Sequence, residues 1–332
     1  MFSKKELKIN FMPGVFLLRH MDDTRNMTSS EKQMFSNNAS QRGKVVLAAT
    51  PIGNIGDASD RLKTLLATAD IVAAEDTRRL YDLANRLQIH VNGRVVAYHD
   101  HNERAKSDSL LDDVENGATI LVVSDAGMPT INDPGLAIVR HAIARQLPVT
   151  CAPGPSAVLD ALALSGLPTD RFCYEGFVPR KLSEQLKKFR ELQYETRTIV
   201  FYETPQRISQ TMKSLLEIFP ADRPMALARE LTKNYEEVRR STISGIADSV
   251  EQDPPRGEIV LVIQGASEQE IHHISSALSI EELAQLSLAY ANDNHTRLKD
   301  AIAQILQDHP YPDGSLANKK TVYQTALAIK EL

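Results

Sequence analysis

The sequence predicts an α/β protein with two domains and a helical extension at its C-terminal end. Short apolar runs, such as residues 44–49 (KVVLAA), alternate with segments whose apolar residues recur at helical spacing, such as 58–69 (ASDRLKTLLATA). This alternation is typical of parallel sheets whose strands are buried on both faces. The length of 332 residues exceeds the ~100–200 residues of a common domain. After residue 265 the strand patterns stop and only helical patterns follow.

The first domain is predicted to contain five strands, joined by loops and helices. The strands are residues 44–49, 70–76, 94–98, 118–125 and 148–152. The helices are residues 58–69, 77–87, 102–117 and 134–146. In the first of these helices, Leu62, Leu65 and Leu66 share one face. We expect Asp57 or Asp60 to cap its N-terminus.

A Gly- and Pro-containing segment, residues 153–170 (PGPSAVLDALALSGLPTD), predicts the boundary between the domains. The second α/β domain is predicted to have strands 172–177, 198–203, 224–230, 241–245 and 257–265, with helices 182–193, 205–219 and 246–252. The extension is predicted to hold helices 279–291, 294–309 and 319–331. The expected organisation is a disordered tail at 1–43, domains at 44–158 and 159–265, and the helical extension at 266–332.

Composition and charge argue against several classes of protein. Lys and Arg number 38 and Asp and Glu number 43, and the net charge of −5 disfavours nonspecific nucleic-acid binding. Residues 171–213 depart from that average, with nine Lys or Arg and five Glu. Cys151 and Cys173 do not make a disulfide framework or a metal-binding spacing, and no apolar run approaches ~18 residues. We therefore expect a cytoplasmic protein without a metal or a membrane span.

The loops that follow the strands carry most of the functional information, because ligands of open α/β sheets bind at the carboxyl ends of strands. In the first domain these loops are TPIGNIGD (50–57), AEDTRR (74–79), HDHNE (99–103), SDAGMPTINDPG (124–135) and APGPSA (152–157). They contain no GxxxxGK[ST], GxGxxG or GxSxG motif, which disfavours phosphate-centred binding and acyl transfer. Their small residues admit a ligand close to the backbone, and their carboxylates suit a cationic or hydroxyl-rich ligand.

Nine motifs in a fixed order carry a resemblance to a known family. They are ATPIGNIGD (49–57), AAEDTR (73–78), HDHNE (99–103), VSDAGMPTINDPG (123–135), PGPSA (153–157), RFCYEGF (171–177), FYETPQR (201–207), ARELTK (228–233) and GEIVLVIQG (257–265). The chain from about residue 44 to 265 resembles the tetrapyrrole-methylase superfamily, and within it the branch that methylates small-subunit ribosomal RNA. The chain departs from that branch at Met128, where Thr is usual, so the loop lacks one hydroxyl.

The resemblance implies a two-domain class III methyltransferase that binds S-adenosyl-L-methionine between its domains and forms a homodimer. It implies 2′-O-methylation of a cytidine in the decoding centre of 16S rRNA, on naked rRNA or on the 30S subunit. Other members of the superfamily methylate carbons of tetrapyrrole precursors, which gives the alternative function. A third hypothesis is an RNA-binding or assembly protein that has lost catalysis, with Met128 as the lesion. The EDTR, HDHNE and FYETPQR segments favour the RNA branch.

The resemblance also implies cofactor-binding residues, whose alternative roles are turn formation and core packing. The implied residues are Pro51, Ser124, Asp125, Ala126, Gly127, Ser156, Ala157, Phe201, Tyr202, Leu227, Ala228 and Gly257.

Two polar clusters are the candidates for catalysis. In the first, Glu75 or Asp76 is expected to accept or orient a ribose hydroxyl while Arg78 holds a phosphate, and the alternative is an ion pair that fixes the loop. The second cluster is His99, Asp100 and His101, of which His99 and Asp100 are the candidates for the base or for a substrate contact. The alternatives are a structured polar loop and metal binding by the two histidines, for which no third ligand is evident.

Overall fold

The computed structural model describes residues 43–268, 270, 278–309 and 316–330. The predicted tail at 1–43 therefore lies outside the described residues except for Gly43. The described residues fall into two compact units. Unit 1 runs to Thr50 and resumes over Ala58–Gly154, and unit 2 comprises Pro51–Asp57 and the residues from Pro155 onward.

A five-stranded parallel sheet forms the centre of unit 1, which confirms the predicted architecture. Its strands are β1 (Lys44–Ala48), β2 (Ile71–Ala74), β3 (Arg94–Ala97), β4 (Thr119–Val123) and β5 (Val149–Ala152), in the order β3-β2-β4-β1-β5. Its helices are α1 (Asp60–Thr68), α2 (Thr77–Arg86), α3 (Glu103–Glu115) and α4 (Leu136–Ala144). Val45 and Leu47 pack into the core on one face of the sheet, and Val46 and Ala48 into the core on the other. This double burial explains why β1 is a continuous apolar run.

The N-terminus of α1 differs from its prediction. Ser59, rather than Asp57 or Asp60, accepts a hydrogen bond from the backbone N–H of Leu62 at 3.1 Å. Asp57 is a residue of a 3-10 turn, Ile55–Asp57, and Asp60 is already the first helical residue.

Unit 2 contains a second five-stranded sheet, and this sheet is mixed. Its strands are β6 (Phe172–Phe177), β7 (Thr198–Glu203), β8 (Pro224–Arg229), β9 (Glu237–Thr242) and β10 (Ile259–Ile263), in the order β6-β7-β10-β8-β9. Only β6 and β7 pair in parallel. The helices are α5 (Ala157–Ser165), α6 (Leu182–Leu192), α7 (Ile208–Ile218) and α8 (Ile243–Gln252).

The prediction of a strand at 241–245 was wrong. The strand is β9, which ends at Thr242, and Ile243 begins α8 with its side chain in the core. Thr242 caps this helix by accepting from the N–H of Gly245 at 3.1 Å. β9 escaped prediction because it is an edge strand whose sequence, EVRRST, is charged rather than apolar.

The segment Pro51–Asp57 belongs to unit 2 although it follows the first strand of unit 1. Ile52 packs against the core that α5 shares with the second sheet, and the N–H of Asn54 donates to Thr232 Oγ1 at 3.1 Å. A Cβ at Gly53 would overlap the side chains of Thr232 and Lys233, so only glycine permits this close approach. The boundary between the units thus falls at Gly154–Pro155, a few residues before the predicted position. The loop 51–57 belongs to unit 2, although the chain before and after it belongs to unit 1.

The predicted C-terminal helices are present as α9 (Ile280–Asp293), α10 (Leu298–Asp308) and α11 (Lys319–Lys330). They share a core of their own that includes Leu283, Ile302, Leu306 and Val322. Ser279 and Glu282 form a reciprocal capping box at the start of α9. Of the helices in the described ranges, none has the length and apolar character needed to cross a membrane.

Candidate active site

Acidic side chains gather at the carboxyl ends of β2, β3 and β4. The last residues of β2 and β4, Ala74 and Val123, lie side by side in register, so the loops that follow them leave the sheet together. We call the group the acidic edge; its members, whose charges act on one another, are Glu75, Asp76, Asp100, Asp125 and Asp133. The sequence prediction that loops of successive strands converge here is consistent with this placement.

Glu75 and Asp125 tie the loops after β2 and β4 together. The N–H of Asp125 donates to Glu75 Oε2 at 3.2 Å, and the N–H of Asp76 donates to Asp125 Oδ1 at 3.1 Å. Arg79 lies 3.4 Å from the other carboxylate oxygen of Asp125. Partial burial raises the pKa of both Glu75 and Asp125. The two carboxyl groups therefore hold the two loops together, and partial burial makes their charged forms less stable than in water.

Asp76 has a structural role at the start of α2. Its carboxylate accepts from the backbone N–H of Arg78 at 2.9 Å and from the Arg78 guanidinium at 3.1 and 2.7 Å. These hydrogen bonds lower the pKa of Asp76 to about 2. A carboxylate that holds its charge so firmly is a poor proton acceptor at neutral pH. The structure thus contains the ion pair that the sequence left open as the alternative for Asp76 and Arg78.

Asp133 is the titratable residue that the sequence prediction missed. Burial, and next the charge of Glu75, raise the pKa of Asp133 to about 7, against a hydrogen bond from Ser124 that lowers it. Its loop is strained, because Thr130 and Asn132 have φ values of 77° and 64°. The available signal was the second acid of the SDAGMPTINDPG loop, next to a Pro-Gly pair.

His99 is held at the junction of β3 and α3. Its backbone N–H donates to Asn102 Oδ1 at 3.0 Å, and Asn102 Nδ2 lies 2.9 Å from His99 Nε2. With the amide donating, Nε2 is the acceptor and the proton resides on Nδ1, which is buried without a partner among the described residues. His101 contacts the His99 ring edge-on at 6.0 Å, and Asp100 is exposed. No cluster of metal-ligating side chains occurs in the part of the chain that the structure describes.

The loop Ser124–Gly127 is anchored on the sheet. Thr50 and Gly127 exchange backbone hydrogen bonds at 2.9 and 3.0 Å, and Ser124 Oγ donates to the carbonyl of Gly127 at 3.2 Å. Gly127 has a φ of 81°, which favours glycine, and Ala126 is exposed at the loop tip. The loop therefore presents a small, rigid surface.

Unit 1 also has a methionine, Met128, packed against its core, and a cavity at the carboxyl ends of its strands. Met128 packs against the apolar core that includes Val45 and Leu47. The side chain at the position where threonine is usual therefore contributes to core packing. A cavity of about 220 Å³, open to solvent, is lined by residues that include Thr50, Glu75, Ser124 and Asp125.

Three of the predicted cofactor residues in unit 2 lie in its core. Phe201 is fully buried and its ring contacts Phe189 edge-on at 5.7 Å. Leu227 packs in the same core and Ala228 in the core on the opposite face, both fully buried. Their side chains thus fill the core, and only their backbone is left to face a ligand.

Tyr202, in contrast, lies at a partly exposed position near the end of β7. Its ring contacts Tyr174 at 5.1 Å and Phe177 at 5.4 Å, both edge-on. Pro51 and Ser156 are also partly exposed, while Ala157 packs against the core that includes α5. Ser156 precedes α5 but makes no side-chain cap to it.

Gly257 leaves room for a side chain of the protein itself. A Cβ at this position would overlap the carboxylate of Glu230, and its φ of 84° favours glycine. Glu230 in turn accepts from Lys233 Nζ at 2.9 Å and from the N–H of Glu258 at 3.1 Å. The space beside Gly257 that a side chain would fill is therefore occupied by Glu230.

The basic segment 171–213 is largely neutralised. Each of its five glutamates lies within an ion pair: Lys188–Glu175, Lys181–Glu184, Lys187–Glu191, Arg197–Glu195 and Arg207–Glu203. Arg190 pairs with Glu217, outside the segment. Among the described residues, Arg171, Arg180 and Lys213 have no ion-pair partner, so the net positive charge resides with these three.

Comparison with known proteins defines the class. Residues 44–247 match the family of Tetrapyrrole (Corrin/Porphyrin) Methylases. Among solved structures, the methyltransferase CobJ superposes with a TM-score of 0.52 at 17% identity, over 68% of this chain and 95% of that one. Diphthine synthase superposes with a TM-score of 0.50 at 15% identity, over 69% and 93% of the chains. These structures share the fold.

Curated relatives narrow the class further. The ribosomal RNA small subunit methyltransferase I of Mycobacterium tuberculosis H37Rv is 44% identical over 81% of this chain and 90% of the relative. The proteins of the same name from Escherichia coli O157:H7 and Halalkalibacterium halodurans are 39% and 36% identical, over 86% and 94% of their lengths. The chain therefore belongs to the tetrapyrrole methylase family, in its ribosomal RNA small subunit methyltransferase I group.

Proposed function

We propose that this protein transfers the methyl group of S-adenosyl-L-methionine to the ribose 2′-hydroxyl of a cytidine in the decoding centre of 16S rRNA. The observation that carries the proposal is the acidic edge, in a chain that is 36–44% identical to proteins named ribosomal RNA small subunit methyltransferase I. For the corrin-type alternative, the likeness to the methyltransferase CobJ at 17% identity shows a shared fold alone.

The residues of unit 1 suit this cofactor. S-adenosyl-L-methionine supplies a methyl group on a positively charged sulfur. The carboxylates of Glu75 and Asp125 offer the negative charge that stabilises such a cation, and the Ala126–Gly127 turn offers backbone without bulky side chains. We expect Ser124, Asp125, Ala126 and Gly127 of unit 1 to hold it. Pro51, Ser156, Ala157 and Tyr202 remain the partly exposed candidates of unit 2.

The acidic edge also offers a proton acceptor for the ribose hydroxyl. General bases work best when their pKa lies near the operating pH, and burial raises the pKa of Asp133 to about 7. Asp76 is unsuited, because its hydrogen bonds with Arg78 lower its pKa to about 2. We assign proton acceptance to Asp133, with Glu75 as the neighbour whose charge tunes it. Arg78, whose side chain is 89% exposed, remains available for a phosphate contact.

Two further properties belong to the proposal. We expect a cytoplasmic homodimer that acts on 16S rRNA or on the 30S subunit. Support for self-association comes from α4, where Leu136 and Ile143, seven residues apart on one helix face, are 45% and 64% exposed. Analytical ultracentrifugation of the wild type and of Ile143→Asp tests this: a dimer that the substitution dissociates is expected, and a monomeric wild type contradicts it.

Tritiated methyl transfer to three acceptors tests the function. The acceptors are 30S subunits that lack the modification, free 16S rRNA and a porphyrin precursor. We expect label in an RNA acceptor and none in the porphyrin. Label in the porphyrin alone, or cofactor binding with no transfer to any acceptor, contradicts the proposal.

A further inference from the structure

A β-bulge in β6 gives Phe177 an unusual position. Between Tyr174 and Phe177 the strand advances three residues while β7 advances two, from Val200 to Tyr202. Gly176 takes up the extra residue with a φ of 73°. In a regular strand, residues three apart point to opposite faces, yet both rings here contact the ring of Tyr202. The bulge therefore brings Phe177 to the aromatic side and leaves it 50% exposed.

The exposed ring is held on a rigid support. The N–H of Val178 donates to the carbonyl of Tyr202 at 3.0 Å, and Arg207 Nη1 donates to the carbonyl of Val178 at 2.9 Å. Arg207 is fixed by Glu203, whose side chain is fully buried and lies 2.6 Å from Arg207 Nη2. Thr211 donates to the other carboxylate oxygen of Glu203. A buried ion pair with satisfied hydrogen bonds thus locks the residue beside Phe177.

A free positive charge lies in the same loop. Arg180 is exposed three residues after Phe177 and has no ion-pair partner among the described residues, whereas its neighbour Lys181 pairs with Glu184 at 3.0 Å. A rigid, half-exposed aromatic ring with an unpaired guanidinium nearby is the combination that single-stranded RNA requires, since bases stack on aromatic rings and phosphates bind arginine.

From these contacts we propose that Phe177 stacks on an unpaired base of the target RNA while Arg180 binds its backbone. The inference rests on the proposed function, because it takes small-subunit rRNA as the substrate. The Glu203–Arg207 pair of the FYETPQR segment then positions the ring, because Arg207 holds the carbonyl of Val178, the residue after Phe177.

The test combines RNA binding with methyl transfer. Phe177→Ala, Phe177→Tyr and Arg180→Ala are assayed on unmodified 30S subunits and in anisotropy titrations with a single-stranded RNA oligonucleotide. The matched controls are Leu216→Ala, which removes another exposed apolar side chain of unit 2, and Lys187→Ala, which removes a paired cation. Affinity for S-adenosyl-L-methionine, melting temperature and oligomeric state are measured for every variant.

We expect Phe177→Ala to raise KM for the RNA and weaken oligonucleotide binding roughly tenfold, and Phe177→Tyr to restore most of both. Arg180→Ala is expected to reduce the salt dependence of log Kd by about one charge. Cofactor affinity is expected to stay within about twofold of the wild type in every variant. The two controls are expected to keep their KM for the RNA and their oligonucleotide affinity within the same range.

Three results overturn the inference: wild-type RNA binding by Phe177→Ala, a loss of cofactor affinity instead of RNA affinity, or a change of oligomeric state. A wild type that binds RNA through Phe177 but transfers no methyl group refutes the proposed function while the stacking site stands. A wild type that binds no RNA refutes both.

Discussion

At the scale of single residues, the division of labour among the acids follows from their surroundings. Asp76 accepts several hydrogen bonds that lower its pKa to about 2, while partial burial, and next the charge of Glu75, raise the pKa of Asp133 to about 7. Groups with opposed pKa shifts in one site are a recognised sign of acid–base chemistry. The sequence placed both acids in loops at the carboxyl ends of strands, but it offered no measure of burial and so gave no sign that their pKa values shift in opposite directions.

The first prediction concerns the rate of transfer. A carboxyl base works only when deprotonated, so the wild-type rate is expected to rise with pH through about 7 and then level off. Asp133→Asn removes this acceptor and should lower kcat at pH 8 by roughly 100-fold or more, with cofactor affinity nearly unchanged. Rates between pH 5.5 and 9 check this. A variant that keeps the wild-type rate and pH profile would show that Asp133 is not the acceptor.

The same residue makes a prediction about stability. The pKa of Asp133 is about 7 in the folded chain and ~3.9 in an unfolded one, so its contribution is fully present below about pH 4 and is lost as the pH rises through 7. Asp133→Asn stays neutral and is expected to raise the melting temperature at pH 8 more than at pH 5. Differential scanning calorimetry at both pH values measures this, and an equal shift at both would contradict the assigned burial.

At the scale of elements, burial explains which strands could be predicted from the sequence and which could not. The strands β1, β2 and β4 of unit 1 were predictable because burial on both faces makes them continuous apolar runs. β9 was not, since an edge strand can be charged. For Phe201 the sequence left cofactor contact and core packing open, because alternation alone does not say which side of a strand faces the core, and the structure places its side chain in the core. The segment 51–57 was assigned to the wrong unit, because its contact with Thr232 joins residues far apart in sequence.

Asp76 also gives a prediction at this scale. Removing an N-cap costs about 1 kcal/mol, and asparagine caps as well as aspartate. Asp76→Ala is expected to lower the free energy of unfolding by that amount, and Asp76→Asn to retain most of it. Urea unfolding followed by circular dichroism compares the two. Equal losses in both variants would mean that the Arg78 ion pair, rather than the cap, stabilises α2.

The Gly257–Glu230 contact gives another. Gly257→Ala places a Cβ on the Glu230 carboxylate at a positive φ, which should cost about 1–3 kcal/mol. In a Glu230→Ala background the overlap is gone and only the backbone strain remains, so the cost should shrink. A double-mutant cycle by urea unfolding measures the difference. Identical costs in both backgrounds would show that the carboxylate is not what Gly257 accommodates.

At the scale of the whole molecule, the net charge of −5 averages over an acidic edge in unit 1 and a basic segment in unit 2. Negative charge is concentrated at the acidic edge of unit 1. In residues 171–213 of unit 2, most basic side chains form ion pairs, and Arg171, Arg180 and Lys213 have no ion-pair partner within the described part of the chain. A few free cations favour a specific RNA target over nonspecific binding.

Nucleoside mass spectrometry tests the central claim most directly. Unmodified 30S subunits or 16S rRNA are incubated with the enzyme and S-adenosyl-L-methionine, the RNA is digested to nucleosides, and a nuclease-protected decoding-centre fragment is analysed separately. The account predicts one 2′-O-methylcytidine per 16S rRNA, located in that fragment, and its near absence with Asp133→Asn. A methyl group on a base, on a nucleotide outside that fragment, or on no RNA at all would contradict it.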